Sequence, residues 1–290
     1  MISVLFAVLT AISNGSASVL QRRAASTVPD RAAMRLSLIG GLLRQKVWLA
    51  GIGLVLVAAG CQAIALATGP IAVVQPIFVM ELPATLLLAS LLFRRRLPRS
   101  TWYGVAAVTC GLALAMATAA PGGGSDTVRP AAAWIPALLI TCAAEAALIL
   151  WSVRLRGNAR AAALGLAAAG GYALTAALMK DAVARLDTGG LGALFSSWQL
   201  YATAVAGVGA LFLLQNALQA GSLAASQPML TLGDALISVV YGVMLFGESV
   251  RTGWWLLPQL AGVVLIAVGC LELARSPLAA GGPPPARRVR

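Results

Sequence analysis

Residues Gly69 to Phe93 read GPIAVVQPIFVMELPATLLLASLLF. The stretch is apolar and long enough to cross a bilayer, which takes about 20 residues of helix. It nevertheless carries Gln75-Pro76, then Glu81, then Pro83. A second stretch, Gly221 to Phe246, reads GSLAASQPMLTLGDALISVVYGVMLF. Gln227-Pro228 answers Gln75-Pro76 at an offset of 152 residues, and Asp234 answers Glu81 at 153. One inserted residue accounts for the difference.

The chain around these stretches has 290 residues, of which 60% are hydrophobic and 10% charged. Soluble chains carry about 25% charged residues. With a mean hydropathy of +0.88, the chain reads as an all-α polytopic membrane protein. Backbone groups in lipid must be satisfied within each segment, so the spans are helices. Nine are expected: Ile2–Leu20, Val47–Ala67, Ile71–Phe93, Thr101–Ala119, Ala132–Ser152, Ala161–Met179, Leu194–Gln215, Leu223–Phe246 and Thr252–Leu273. The N-terminus has neither a basic leader nor a small-residue cleavage site, so the first span reads as retained. The segment 32–45 holds only eight uncharged residues between Arg35 and Arg44. It is either an interfacial helix or a shortened crossing helix.

The net charge is +12. If the nine helices alternate, seventeen of the 21 basic residues fall on one face. They lie between Gln21 and Lys46, in Arg94–Arg96 and Arg99, in Arg154, Arg156 and Arg160, and in the tail. That face and the C-terminus are therefore cytoplasmic. The other face keeps Arg129, Lys180, Arg185 and Arg251, balanced by Asp126, Asp181, Asp187 and Glu248. No Lys or Arg is expected inside a span. The charge is topology and lipid contact, and nucleic acid is not an expected partner. Arginine outnumbers lysine heavily and Ala, Gly, Val and Leu abound, which suits a high-GC bacterial genome and a plasma-membrane location.

Matching spans three and four to eight and nine sets the partners five helices apart, an odd offset, so the copies run in opposite directions. Further along each copy, Gly104 to Gly111 resembles Gly262 to Gly269. The layout is two inverted repeats, with residues 1–120 the first and 132–273 the second. Residues 121–131 link them and 274–290 form a Pro/Gly-rich cytoplasmic tail expected to be disordered. Inverted repeats are typical of secondary transporters with a midplane site.

Glu81 lies ten residues into span three and Asp234 eleven into span eight. An ionisable residue at that depth is costly, about 2.5–3.5 kcal/mol on insertion scales, and is a functional candidate by default. The two acids suit proton coupling, or a divalent metal ion as cargo. The bland alternative is a protonated acid bonding a neighbouring carbonyl. Glu145 is a third intramembrane acid, either proton-linked or solvated near the cytoplasmic mouth. Pro76 and Pro228 each free a carbonyl one turn earlier. With Gln75, Gln227 and Asn14 they can line a polar cavity, or simply kink and pair helices. Trp102-Tyr103 and Trp254-Trp255 read as interfacial anchors, and the Ala/Gly run Ala161–Gly171 as close helix packing. The four cysteines read as small buried hydrophobes. The chain has no histidine and no nucleotide loop. Neither an enzyme nor a cofactor is expected.

These motifs resemble the drug/metabolite transporter superfamily, the EamA-like carriers. The residues concerned are Gly69-Pro70, Gln75-Pro76, Leu97 and Gly104, then Gln227-Pro228 and Phe246-Gly247-Glu248-Ser249-Val250. Arg94–Arg96 stands where that family usually has Gly-Glu. The short second helix and basic link after span one look most like the NIPA-type magnesium transporters. The resemblance implies a ten-helix carrier, degenerate here to nine plus one short helix, moving a small solute or Mg²⁺. A metabolite or amino-acid exporter, and a non-transporting scaffold, stay open, as does a homodimer.

Overall fold

The computed structural model describes residues 1–25, 46–92, 97–128 and 130–275. The expected short helix at 32–45, the Arg94–Arg96 turn and the tail from 276 lie outside the described residues. Among the described residues eleven α-helices follow in chain order. They are α1 (Ile2–Ala25), α2 (Lys46–Thr68), α3 (Ile71–Ile77), α4 (Glu81–Leu92), α5 (Arg99–Ala119), α6 (Trp134–Arg154), α7 (Gly157–Ala184), α8 (Leu186–Ser196), α9 (Trp198–Ala220), α10 (Leu223–Phe246) and α11 (Leu256–Ala274). Among the described residues, nine segments are long and apolar enough to cross a membrane. The protein is an all-α, multi-pass membrane protein.

Span three is α3, a 3₁₀ turn over Phe78–Met80, and α4. Span eight is one continuous helix, α10, with Pro228 inside it. Pro228, expected with Pro76 to free a carbonyl and kink its helix, does not interrupt it, and Pro76 lies within α3, just before the 3₁₀ turn. Span three has a second proline, Pro83, in the first turn of α4. Pro83 offers no N–H to the Val79 carbonyl, and the residues between tighten to 3₁₀. In this chain span eight absorbs its lone proline in one helix, whereas span three, with two prolines seven residues apart, is interrupted between them.

α7 is the central helix. Its span is 72% buried, against 11% for the α6 and α9 spans. Its Ala/Gly face lets neighbours approach at backbone distance. A Cβ on Gly165 would sit 2.7 Å from the Ser226 carbonyl of α10, and one on Gly171 would sit 2.9 Å from Ala210 Cβ of α9. The main core gathers Ile71, Val74, Leu174, Leu178, Tyr241 and Phe246 around α3, α7 and α10.

The glycines aligned in the repeat touch one another. A Cβ on Gly111 would lie 2.7 Å from the Gly262 carbonyl, and one on Gly262 would lie 2.7 Å from the Gly111 carbonyl. Gly104 and Gly269 form the second such pair. The low number in α5 meets the high number in α11, so the helices cross antiparallel and reciprocally. A twofold axis in the membrane plane gives this pattern.

Three expectations are corrected. α7 extends past Met179 by more than a turn and takes Lys180 and Asp181 with it, so a lysine does lie inside a span. Residues 186–193, expected as connection, and the first three residues expected of span seven together form α8, with a kink at Gly189 and Gly190. Of the cysteines only Cys270 is buried, whereas Cys110 and Cys142 face outward. In lipid a cysteine gains nothing by turning inward, because both environments are apolar. Trp102, Tyr103, Trp254 and Trp255 are all exposed.

Candidate functional site

Glu81 opens α4 at the point where span three resumes its α-helical course. Asn14 of α1 donates to Glu81 Oε2 through Nδ2 at 3.4 Å. α1 comes this close because Gly15 has no side chain: a Cβ there would lie 3.0 Å from the Thr85 amide nitrogen. Thr85 in turn donates its hydroxyl to the Glu81 carbonyl at 2.8 Å.

Asp234 faces this region from α10. Ser238, one turn on, donates to Asp234 Oδ1 at 3.3 Å. Gly233 lets α7 pack against the same turn, since a Cβ there would lie 2.8 Å from Ala169. Asp234 lies within electrostatic range of Glu81, and Tyr172 of α7 within range of both. Neither carboxylate forms an ion pair among the described residues, and both remain half-buried. Asn14, Glu81 and Asp234 are thus brought together, with Tyr172 added. No third His, Cys, Asp or Glu joins them as a metal cluster among the described residues.

The other candidates lie apart. Gln75 is buried and Gln227 half-buried, but no hydrogen bond joins either to the two carboxylates among the described residues. Pro76 and Pro228 are both buried. Glu145 faces α7, its Oε1 about as near Gly170 and Gly171 as a Cβ on them would allow. That oxygen is buried with no hydrogen-bond partner. One turn before it, the hydroxyls of Thr141 and Tyr241 bond across α6 and α10.

The most complete polar cluster was not foreseen as a site. Glu248 follows α10, which Gly247 ends in the left-handed conformation at φ 66°. Its Oε1 accepts the Ile71 N–H at 2.7 Å and its Oε2 the Ala72 N–H at 2.8 Å. It therefore caps α3, whose preceding residue, Pro70, provides no side-chain cap. Negative charge is favourable at that position, where the helix dipole is positive. Lys180 Nζ sits 3.0 Å from Glu248 Oε1, donates to the Gly69 carbonyl at 3.0 Å, and lies 5.0 Å from the centre of the Phe246 ring. The side chains of the pair are 3% and 0% exposed, so the expectation of balanced charges on the open face is corrected for this pair. Gly124, at φ +90°, lies over it; a Cβ there would meet Glu248 Cγ at 2.7 Å.

Asp181, next along α7, points the other way. Its oxygens accept from the Val128 N–H at 3.3 Å, Trp134 Nε1 at 2.9 Å and Gln199 Nε2 at 2.9 Å. Arg185 approaches at 3.7 Å. The residue is fully buried. The sequence signal for both clusters was a Lys-Asp pair directly at the end of an apolar run.

No family model matches the chain, and no solved structure matches it. It is 27% identical over 280 residues to an uncharacterized protein of Corynebacterium glutamicum, an alignment that covers 95% of this chain and 96% of that relative.

Proposed function

We propose that the protein is a secondary transporter of the drug/metabolite type that moves a small cationic solute by alternating access. The observation that carries this reading is that Glu81 and Asp234, from different helices, face one region of the bundle. They lie on the matched stretches of the inverted repeat read from the sequence, Asp234 is within electrostatic range of Glu81, both keep partial access, and neither has an ion-pair partner among the described residues. Two carboxylates without a fixed counter-charge call for a cation or a proton. Asn14 and Ser238 orient them.

Two cargo chemistries fit. Hydrated Mg²⁺ needs only one or two carboxylates because it keeps several waters. Tyr172, within electrostatic range of both acids, favours an organic ammonium, which an aromatic face attracts by about 0.5–2 kcal/mol. The location is the bacterial plasma membrane, with the basic face and C-terminus in the cytoplasm.

The experiment is a thermal-shift screen of purified protein against divalent cations, amino acids and organic ammonium ions, followed by uptake into proteoliposomes. A ligand of the folded state raises the melting temperature by mass action. Glu81→Gln and Asp234→Asn are expected to stay folded and lose uptake. Normal uptake by both variants would sink the proposal.

A further inference from the structure

The described hydrogen bonds that tie the N-terminal half to the rest of the chain gather at one end of the bundle, where α3 begins and α10 finishes. There Glu248 holds the Ile71 and Ala72 amides and Lys180 holds the Gly69 carbonyl. Gly122 and Ser249 exchange two backbone bonds of 3.1 and 2.8 Å, Arg251 N–H reaches the Ala119 carbonyl at 2.9 Å, and Ser125 N–H reaches the Phe246 carbonyl at 2.7 Å. At the opposite end the Asn158 side chain accepts the Ser222 N–H at 3.0 Å, a bond within one half. Beneath the tied end lie Val74, fully buried, and Gln75.

We propose that Lys180, Glu248 and the first turn of α3 are a gate, closed in this structure, that opens and re-forms in each transport cycle. The inference rests on the transporter reading and adds which residues seal one face. Glu248 takes its backbone partners from the opposite half, and Lys180 donates there as well. A rocking motion between halves therefore breaks these bonds together. A buried ion pair adds little net stability relative to an apolar plug, and water satisfies both charges once they part. An apolar seal has no such compensation on opening. The gate is thus strong in geometry and shallow in free energy, as a repeatedly broken contact needs to be.

The test reads access without any substrate. A reporter Val74→Cys is placed in full-length protein whose Cys61, Cys110, Cys142 and Cys270 are replaced by alanine, and a membrane-impermeant maleimide is applied to each face. Glu248→Gln, confirmed as folded by its melting curve, is expected to label faster from one face only. A typical coupling makes the increase on the order of ten- to a hundredfold. Labelling at the rate of the unmodified gate overturns the proposal. A second arm leaves the gate residues intact. Gly122→Cys with Ser249→Cys sits on a hydrogen-bonded antiparallel pair, whose Cα spacing of about 5.5 Å suits a disulfide. Oxidation is expected to stop reporter labelling and reduction to restore it; equal rates in the two states overturn the gate even if Glu248→Gln does not fold. Fast labelling without uptake of any solute removes the transport reading and leaves the gate. Unchanged labelling with normal uptake removes the gate alone.

Discussion

Replacing the two members of the buried pair one at a time should have unequal effects. In Glu248→Ala, Lys180 keeps its charge at 3% exposure with only the Gly69 carbonyl and the Phe246 ring beside it. The Ile71 and Ala72 amides lose their acceptor in the same step. Breaking a buried pair in this way costs about 3–5 kcal/mol. In Lys180→Met, Glu248 keeps both amide bonds of 2.7 and 2.8 Å and the favourable end of the α3 dipole, which together offset most of the lost cation. Charge-assisted bonds are worth about 1.5–3 kcal/mol each, so the expected loss is smaller, about 1–2 kcal/mol. The double variant removes the stranded lysine and should lie below the sum of the singles, with a coupling of up to about 3 kcal/mol. The assay is denaturant unfolding in mixed micelles, run as a complete cycle with each variant checked for monodispersity. Equal losses in the two singles, or additive losses in the double, would refute the reasoning that the helix end, and not the lysine, is the principal partner of Glu248.

Two further outcomes are expected on the same assay. Gly111→Ala and Gly262→Ala should each cost about 1–3 kcal/mol by overpacking, in near-equal amounts because each new Cβ meets the other's carbonyl at 2.7 Å. The double should be less than additive, since one widening of the α5–α11 gap serves both; a strictly additive double would count against the reciprocal packing. Asp181→Asn replaces one acceptor oxygen with a donor in a site that already holds Val128, Trp134 and Gln199 as donors. One of these is left unpaired, costing about 1–3 kcal/mol, and an unchanged midpoint would contradict the buried network.

The spans were legible because hydrocarbon imposes a length and a composition. Glu81 and Asp234 were legible because an acid in an apolar run has no ordinary reason to be there. The glycine pairs were legible as spacing: Gly104 and Gly111 match Gly262 and Gly269, and they turn out to touch. What escaped was the fate of charges at span ends. Lys180, Asp181 and Glu248 look like loop residues by position, and only their three-dimensional partners reveal that they are buried. Span eight also misled, because Pro228 carries the same local motif as Pro76. The difference lies seven residues beyond Pro76, in Pro83, which the matching stretch lacks. The side on which each cysteine faces was not legible for a simpler reason: a helix apolar on all sides has no stripe to read.

The connection between the halves has a consequence for cutting the protein in two. Residues 121–128 are not a tether of adjustable length. Gly122 is bridged to Ser249, Gly124 lies against Glu248, and the Val128 amide is bound by Asp181. A protease site inserted there would remove the cover of an ion pair as well as a covalent link. Fragments split at this point and expressed together would have to rebuild that cover from two loose ends, so complementation should recover assembly less readily than the length of the break suggests.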